Sequence, residues 1–173
     1  MNAPLLKAPP VLRRLAAFVY EGVLLFGVLM IAGYLYSSLT QQRHALEGKL
    51  GLQAFLFVVL GIYFVWFWSH GGQTVATKAW RIRLVTATGE PVSQGRAFAR
   101  YLLSWLWFAP ALLSLGLAGG HPGGGRVSAA LLAGVLAYAA LSWLRADRQF
   151  WHDAVCGTRL ISVDVPPRQN PAP

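Results

Sequence analysis

Charge is what this chain of 173 residues has least of: Asp, Glu, Lys and Arg together make up 12% of it, where an average soluble domain carries roughly 25%. So little polar surface excludes a compact fold solvated by water on every side. Acidic residues are the scarcer sign, 6 against 15 Lys and Arg. The single cysteine, Cys156, excludes an intramolecular disulfide and reads as a small, semi-buried residue on the reducing side. The 4 histidines are scattered, with no i, i+4 or HExxH spacing, so no metal site is expected. Phosphate-cradling glycine loops, nucleophile elbows and CxxC pairs are also lacking. The expectation is a protein that is not an enzyme and carries no cofactor.

What is present in excess is apolar. Hydrophobic residues make up 55% of the chain, and mean hydropathy is +0.48. Four segments, about residues 15–36, 50–68, 101–117 and 127–144, approach the roughly 20 apolar residues needed to span a bilayer. Backbone groups have no water to bond in lipid, so these segments must be helices. The expected fold class is an all-α membrane protein, one domain over residues 1–173, with four transmembrane helices. Pro110 is expected to kink the third of them. The first apolar run continues to Leu39, interrupted by Glu21. That is longer than the roughly 7–15 residues of a signal core, so it reads as a retained helix. The proline-rich tails, 1–10 and 166–173, read as disordered, and residues 40–49 and 119–125 as flexible connectors.

The basic residues orient the helices. With the N-terminus inside, Lys7, Arg13, Arg14, Lys78, Arg81, Arg83, Arg96, Arg100, Arg145, Arg148, Arg159 and Arg168 are cytoplasmic. Only Arg43, Lys49 and Arg126 fall outside, so twelve of the 15 Lys and Arg lie on one side, as the positive-inside rule requires of a cytoplasmic face. Trp66, Trp68, Trp143 and Trp151 fall near the same ends as an aromatic belt. Both termini are therefore expected in the cytoplasm of a bacterial-type inner membrane. The net charge of +9 would suggest nucleic acid in a soluble protein. Here the basic residues flank apolar runs, so anionic lipid headgroups are the expected partner and nucleic acid is not. A sharper reading of the surface formed by Lys78, Arg81, Arg83, Arg96, Arg100, Arg145, Arg148 and Arg159 is capture of an anionic substrate or partner segment.

The inner loop, residues 70–100, is patterned. His70-Gly71-Gly72-Gln73-Thr74 breaks the second helix, and Arg81-Ile82-Arg83-Leu84-Val85 alternates as a half-buried strand does. Thr88-Gly89-Glu90-Pro91 marks a turn. Ser93 is a plausible N-cap for a helix on which Arg96 and Arg100 share a face. A related extended run, Thr158-Arg159-Leu160-Ile161-Ser162, follows the fourth span. The two runs either pair as a small cytoplasmic sheet or lie at the interface independently.

Glu21 is the most informative single residue. A charge near the middle of a membrane helix costs on the order of 2.5–3.5 kcal/mol by insertion scales, so such a residue faces protein or water. It either pairs with a cation (Arg14, seven residues earlier on nearly the same face, or Arg100 or Arg145) or carries a proton. The first makes it a packing device; the second makes it a coupling site. His152 beside Asp153 suggests acid–base work, without a nucleophile or metal partner at any diagnostic spacing.

Arg13-Arg14-Leu15-Ala16-Ala17-Phe18-Val19-Tyr20-Glu21-Gly22 resembles the opening signature of the RDD family of membrane proteins, named for one arginine and two aspartates. Gly72-Gln73-Thr74, Arg81 to Val85 and Gly89-Glu90-Pro91-Val92-Ser93 are similar to its inner loop, and His152-Asp153 with Gly157-Thr158 to its closing signature. The resemblance implies that Arg14 (or Arg13) is the family arginine and Asp153 the second aspartate. Glu21 stands where the family has its first aspartate, which keeps the charge and moves it by one methylene. Transport, including cation–proton exchange, has been proposed for some family members. The leading reading is transport coupled to a proton or cation through Glu21, with Arg14 and Asp153 tuning its charge. The alternative is a non-catalytic assembly or lipid-organising protein in which Arg14, Glu21 and Asp153 are structural. Four helices offer little room for a pathway, so a homo-oligomer or a partner membrane protein is implied.

Overall fold

A computed structural model describes residues 8–41, 49–118, 123–145 and 149–163. Helix α1 spans Val11–Leu39 and α2 spans Lys49–Ser69. A short α3, Val75–Ala79, leads into strand β1, Ile82–Thr86. Then come α4, Gln94–Ser104, a 3-10 turn at Trp105–Trp107, and α5, Ala109–Ala118. Helix α6, Gly124–Leu141, ends in a second 3-10 turn at Ser142–Leu144. The chain closes with α7, Trp151–Val155, and β2, Thr158–Ser162. By length and apolar composition, Val11–Leu39, Leu50–Ser69 and Gly124–Leu144 can each cross a membrane.

The third expected span is not one helix. Its first part, α4, is amphipathic: Ala97, Arg100 and Tyr101 are buried, while Arg96 is exposed. The chain then tightens into i→i+3 bonding, Phe108 N–H donating to Trp105 O at 3.0 Å, before α5 begins. Pro110 sits in the first turn of α5, where a missing N–H leaves no helical bond unmade. Pro110 therefore opens a new helix instead of kinking an existing one. The tail read as disordered through Pro10 also needs correction, because Pro9 is fully buried. Residues 1–7 and 164–173 lie outside the described residues.

The two extended runs do pair. β1 and β2 form an antiparallel two-stranded sheet with Ile82 opposite Ser162, Leu84 opposite Leu160 and Thr86 opposite Thr158. An isolated hairpin-sized sheet is marginal in water, and this one is buttressed along both outer edges. Leu84 N–H donates to Gly72 O at 2.7 Å, and the Gln73 amide donates to Ile82 O at 2.8 Å. On the other edge the Gln149 amide donates to Leu160 O (3.1 Å) and accepts from Leu160 N–H (3.0 Å). Those side-chain amides complete a ladder that would otherwise present bare strand edges.

This arrangement repeats. α3 and β1 recur as α7 and β2, with every boundary displaced by 76 residues (75 to 151, 79 to 155, 82 to 158, 86 to 162). Gln73 and Gln149 share that displacement, as do Arg81 (φ 54) and Gly157 (φ 61), the left-handed residue before each strand. Leu84 and Leu160 are also 76 apart and face one another at the middle of the sheet. An approximate two-fold axis therefore passes between them, relating the α3–β1 unit after α2 to the α7–β2 unit after α6. Two cores lie on either side. One joins Trp68, Leu84, Val92, Ala97 and Tyr101, the other Trp107, Tyr138, Ala139 and Phe150, and Leu160 packs against both.

Candidate functional site between the repeats

A cavity of about 330 Å³ opens where the helices meet the sheet. Leu84 and Leu160 both line it, so it lies on the approximate two-fold axis. Its walls come from α1, α2, α4 and the Trp105–Trp107 turn, and most of them are apolar: Leu25, Leu60, Phe64, Trp105 and Phe108 among them. The polar groups on the wall include Arg14 and Glu21 from α1, Arg100 from α4 and His152 from α7.

Glu21 is 7% exposed. The hydrogen bonds to its carboxylate come from two hydroxyls: Tyr63 donates to Oε1 at 2.7 Å, and Thr74 donates to Oε2 in a very short contact. Thr74 is also the N-cap of α3, with a reciprocal capping box to Thr77. One threonine thus ties the intramembrane carboxylate to the element that launches β1. Arg14 lies on the same helix, about 10 Å nearer its start at 1.5 Å per residue. Its guanidinium sits 4.3 Å from the centroid of the Phe150 ring, a cation–π contact.

Asp153 is fully buried. Arg100 Nε donates to its Oδ1 at 2.6 Å, and the same guanidinium lies 4.1 Å over the Trp68 ring. Burial alone would raise the Asp153 carboxyl. The Arg100 guanidinium, helped by His152 and Arg14, more than offsets it and holds the group below its ordinary value. His152 is pushed down to about 4, chiefly by burial, which outweighs the Asp153 charge. It is therefore neutral at pH 7. The Tyr138 hydroxyl accepts from the His152 backbone N–H at 3.1 Å and shares a 2.9 Å hydrogen bond with the ring Nδ1. The ring Nε2 lies 3.5 Å from Asp153 Oδ1. The result is a buried chain, Tyr138–His152–Asp153–Arg100, joining α6, α7 and α4.

The residues singled out in the sequence therefore divide. Arg14, Glu21 and His152 meet on the cavity wall, with Asp153 behind Arg100. Arg13 is half-buried and donates from Nε to Trp80 O at 2.8 Å. Lys78, Arg81, Arg83 and Arg96 are exposed, and Arg159 is half-buried. Arg145 is half-buried over the Trp151 ring at 5.4 Å. Arg148 lies outside the described residues. Arg100 does not belong to the basic surface. It is 6% exposed, because α4 turns it inward onto Asp153 and Trp68. Nor is Trp68 part of a headgroup belt, since it is 7% exposed beneath that guanidinium. The site residues that sequence reasoning did not single out are Tyr63, Thr74 and Tyr138. A hydroxyl one turn beyond a helix break was the available signal for Thr74.

The family model of the RDD family matches residues 8–157, a stretch that holds Arg14, Glu21, Arg100 and Asp153. The chain belongs to the RDD family. That family is one of membrane proteins, in keeping with the three apolar helices. No match emerged among curated proteins or among solved structures. In this RDD protein the first-helix carboxylate is a glutamate whose side chain reaches both Tyr63 and Thr74 at once.

Proposed function

We propose that this RDD protein is a multi-pass transport protein of a bacterial inner membrane, in which Glu21 couples movement of a proton or cation to the cavity it lines. The observation that carries the reading is the company Glu21 keeps. Its hydrogen bonds come from two neutral hydroxyls at the wall of a cavity. Hydroxyl donors can stabilise a carboxylate and can also turn to accept from a carboxylic acid, so both protonation states are accommodated. Intramembrane carboxylates facing a cavity mark ion or proton pathways. The repeat supports the same reading, since transporter sites lie where internal repeats meet.

Four crossings with both termini cytoplasmic fit the β1–β2 pairing, which needs its two strands on one side. The exposed Lys78, Arg81, Arg83 and Arg96 then face anionic headgroups, each worth about 1 kcal/mol near the surface. A homo-oligomer or a partner membrane protein supplies the rest of a pathway that four helices cannot enclose. Nucleic acid has no part in it.

A second reading, assembly without transport, draws on the Arg100–Asp153 pair. That pair is closed, buried and stacked on Trp68, as a structural lock is. The two readings differ on Glu21→Gln. Under transport the variant is made and folded at wild-type level, while proton or cation flux into proteoliposomes disappears. A wild-type flux that Glu21→Gln leaves untouched would sink the coupling role.

A further inference from the structure

Helix α3 is held to α1 at both of its ends. At its N-cap the Thr74 hydroxyl donates to Glu21 Oε2. At its C-cap the Trp80 carbonyl accepts from Arg13 Nε at 2.8 Å. Thr74 is 1% exposed, and its hydroxyl has a single proton to give. An ionised Glu21 can only accept, so that proton points at the carboxylate. A lone pair is then left to accept from Thr77 N–H at 3.2 Å. Charge on Glu21 thus strengthens the bond and leaves the capping box intact, since hydrogen bonds to an ion are roughly twice as strong as neutral ones.

What α3 carries is a wall of the cavity. Gly72, Thr77, Ile82 and Leu84, from α3, β1 and the turn before them, all line it. The matching unit, α7–β2, contributes His152 and Leu160 but is fastened differently. In the repeat, Phe150 takes the place of Thr74 and gives α7 no side-chain cap bond. Asp153, in the place of Thr77, is tied to Arg100 of α4, and His152 is tied to Tyr138 of α6. Among the described residues, the half that hydrogen-bonds to the carboxylate of α1 is α3–β1.

We infer that the Glu21–Thr74 hydrogen bond is a latch. It holds α3–β1 in place as the sheet-side wall of the cavity while Glu21 is charged, and that wall loosens when Glu21 is neutral, with α7–β2 as the fixed half. The latch rests on these bonds, and its use as a gate rests on the coupling role proposed above for Glu21. The charged or titratable groups that share the cavity wall with Glu21 are Arg14, Arg100, Tyr101 and His152, and Tyr63 bonds to its other oxygen. A substitution at constant pH isolates the Glu21 charge from all of them.

Hydrogen exchange of the full-length protein in detergent, read by mass spectrometry at one pH, compares residues 74–86 with residues 151–162. Glu21→Gln should speed exchange across 74–86 about tenfold, the difference between a charged and a neutral hydrogen bond, and leave 151–162 unchanged. Thr74→Val should do the same, and Thr74→Ser, which keeps the hydroxyl, should not. The two losses act through one bond, so Glu21→Gln in a Thr74→Val background should add nothing. No change in 74–86, an equal change in both halves, or additive effects overturns the inference. Should Glu21→Gln fail to fold, Thr77→Val replaces it. That variant removes one arm of the capping box and spares Glu21, so it should loosen 74–86 clearly less than Thr74→Val does. Equal loosening would mean that α3 is held by its cap alone, and overturns the latch. Flux measured on the same preparations keeps the two ideas apart. Glu21-dependent flux with unchanged exchange removes only the latch, and a latch without wild-type flux removes only the coupling role.

Discussion

At the scale of single residues, the buried acid–base chain at the sheet end makes stability depend on pH in one direction. His152 is neutral in the fold down to about 4, whereas an unfolded histidine takes a proton near 6.5. Between those values the unfolded chain binds more protons than the folded one, so stability falls as pH falls. The contribution is fully present above 6.5 and is lost by about 4, a change on the order of 3 kcal/mol for so buried a group. Asp153, held below its ordinary value chiefly by Arg100, adds its own loss only at more acid pH. Thermal unfolding in detergent at pH 7.5, 5.5 and 4.5 should show the midpoint dropping steadily. His152→Gln should flatten that slope, and an unchanged slope would mean the imidazole is not the group responsible. The sequence made Glu21, His152 and Asp153 visible because charge is so rare in it. Their partners stayed hidden for a physical reason. Tyr63 and Thr74 are ordinary residues whose role arises only when α2 and the α3 N-terminus converge on α1, across 42 and 53 positions of chain.

At the scale of elements, hydropathy was a good guide wherever the lipid alone decides. The first, second and fourth apolar segments are helices with nearly the expected bounds. It was a poor guide where protein packs on protein. In α4, Arg96 and Arg100 share a helical face by spacing, yet one is exposed and the other is buried on Asp153. The apolar count alone also joined α4, the 3-10 turn and α5 into one span. The strand pattern was legible because alternation is local, but which edges it would bond to was not. Gly72 fixes one of those edges. Its φ of +70 lies in the left-handed region, and a Cβ there would run into the Leu84 carbonyl oxygen. Its own carbonyl accepts from Leu84 N–H. Gly72→Ala therefore combines backbone strain with a clash against main chain that cannot give way, costing about 1–3 kcal/mol. The expected result is faster proteolysis between α2 and α4 and a lower unfolding temperature. Gly71→Ala serves as the control, since a Cβ at Gly71 meets nothing within 4 Å. Equal effects of the two substitutions would show that the loop, not the edge bond, sets stability.

At the scale of the whole molecule, the small sheet constrains the topology of the long helices. β1 and β2 pair in antiparallel register over five residues each, so they lie on the same side of any membrane the chain crosses. An even number of crossings must then separate them. If α6 crosses, as its length and apolar composition allow, the other crossing comes from the interrupted segment before it. α5 alone, Ala109–Ala118, spans about 15 Å at 1.5 Å per residue, roughly half of a 30 Å hydrocarbon core. The 3-10 turn and the end of α4 must carry the remainder. Trp107 anchors that broken backbone in the aromatic core, while Trp105 and Leu106 are exposed. The same logic holds for α1 and α2, since Arg13 at the start of α1 bonds to Trp80 just after α3. Single cysteines in a Cys156→Ala background test the whole arrangement with a membrane-impermeant maleimide on intact cells. Gln41→Cys and Gly123→Cys should label at once, and Gln94→Cys only after permeabilisation. All three positions are exposed, so burial does not mask the outcome. If Gly123→Cys behaves as Gln94→Cys does, the interrupted segment does not cross. Since the hydrogen bonds between the two strands keep them on one side of the bilayer, α6 would then not cross either.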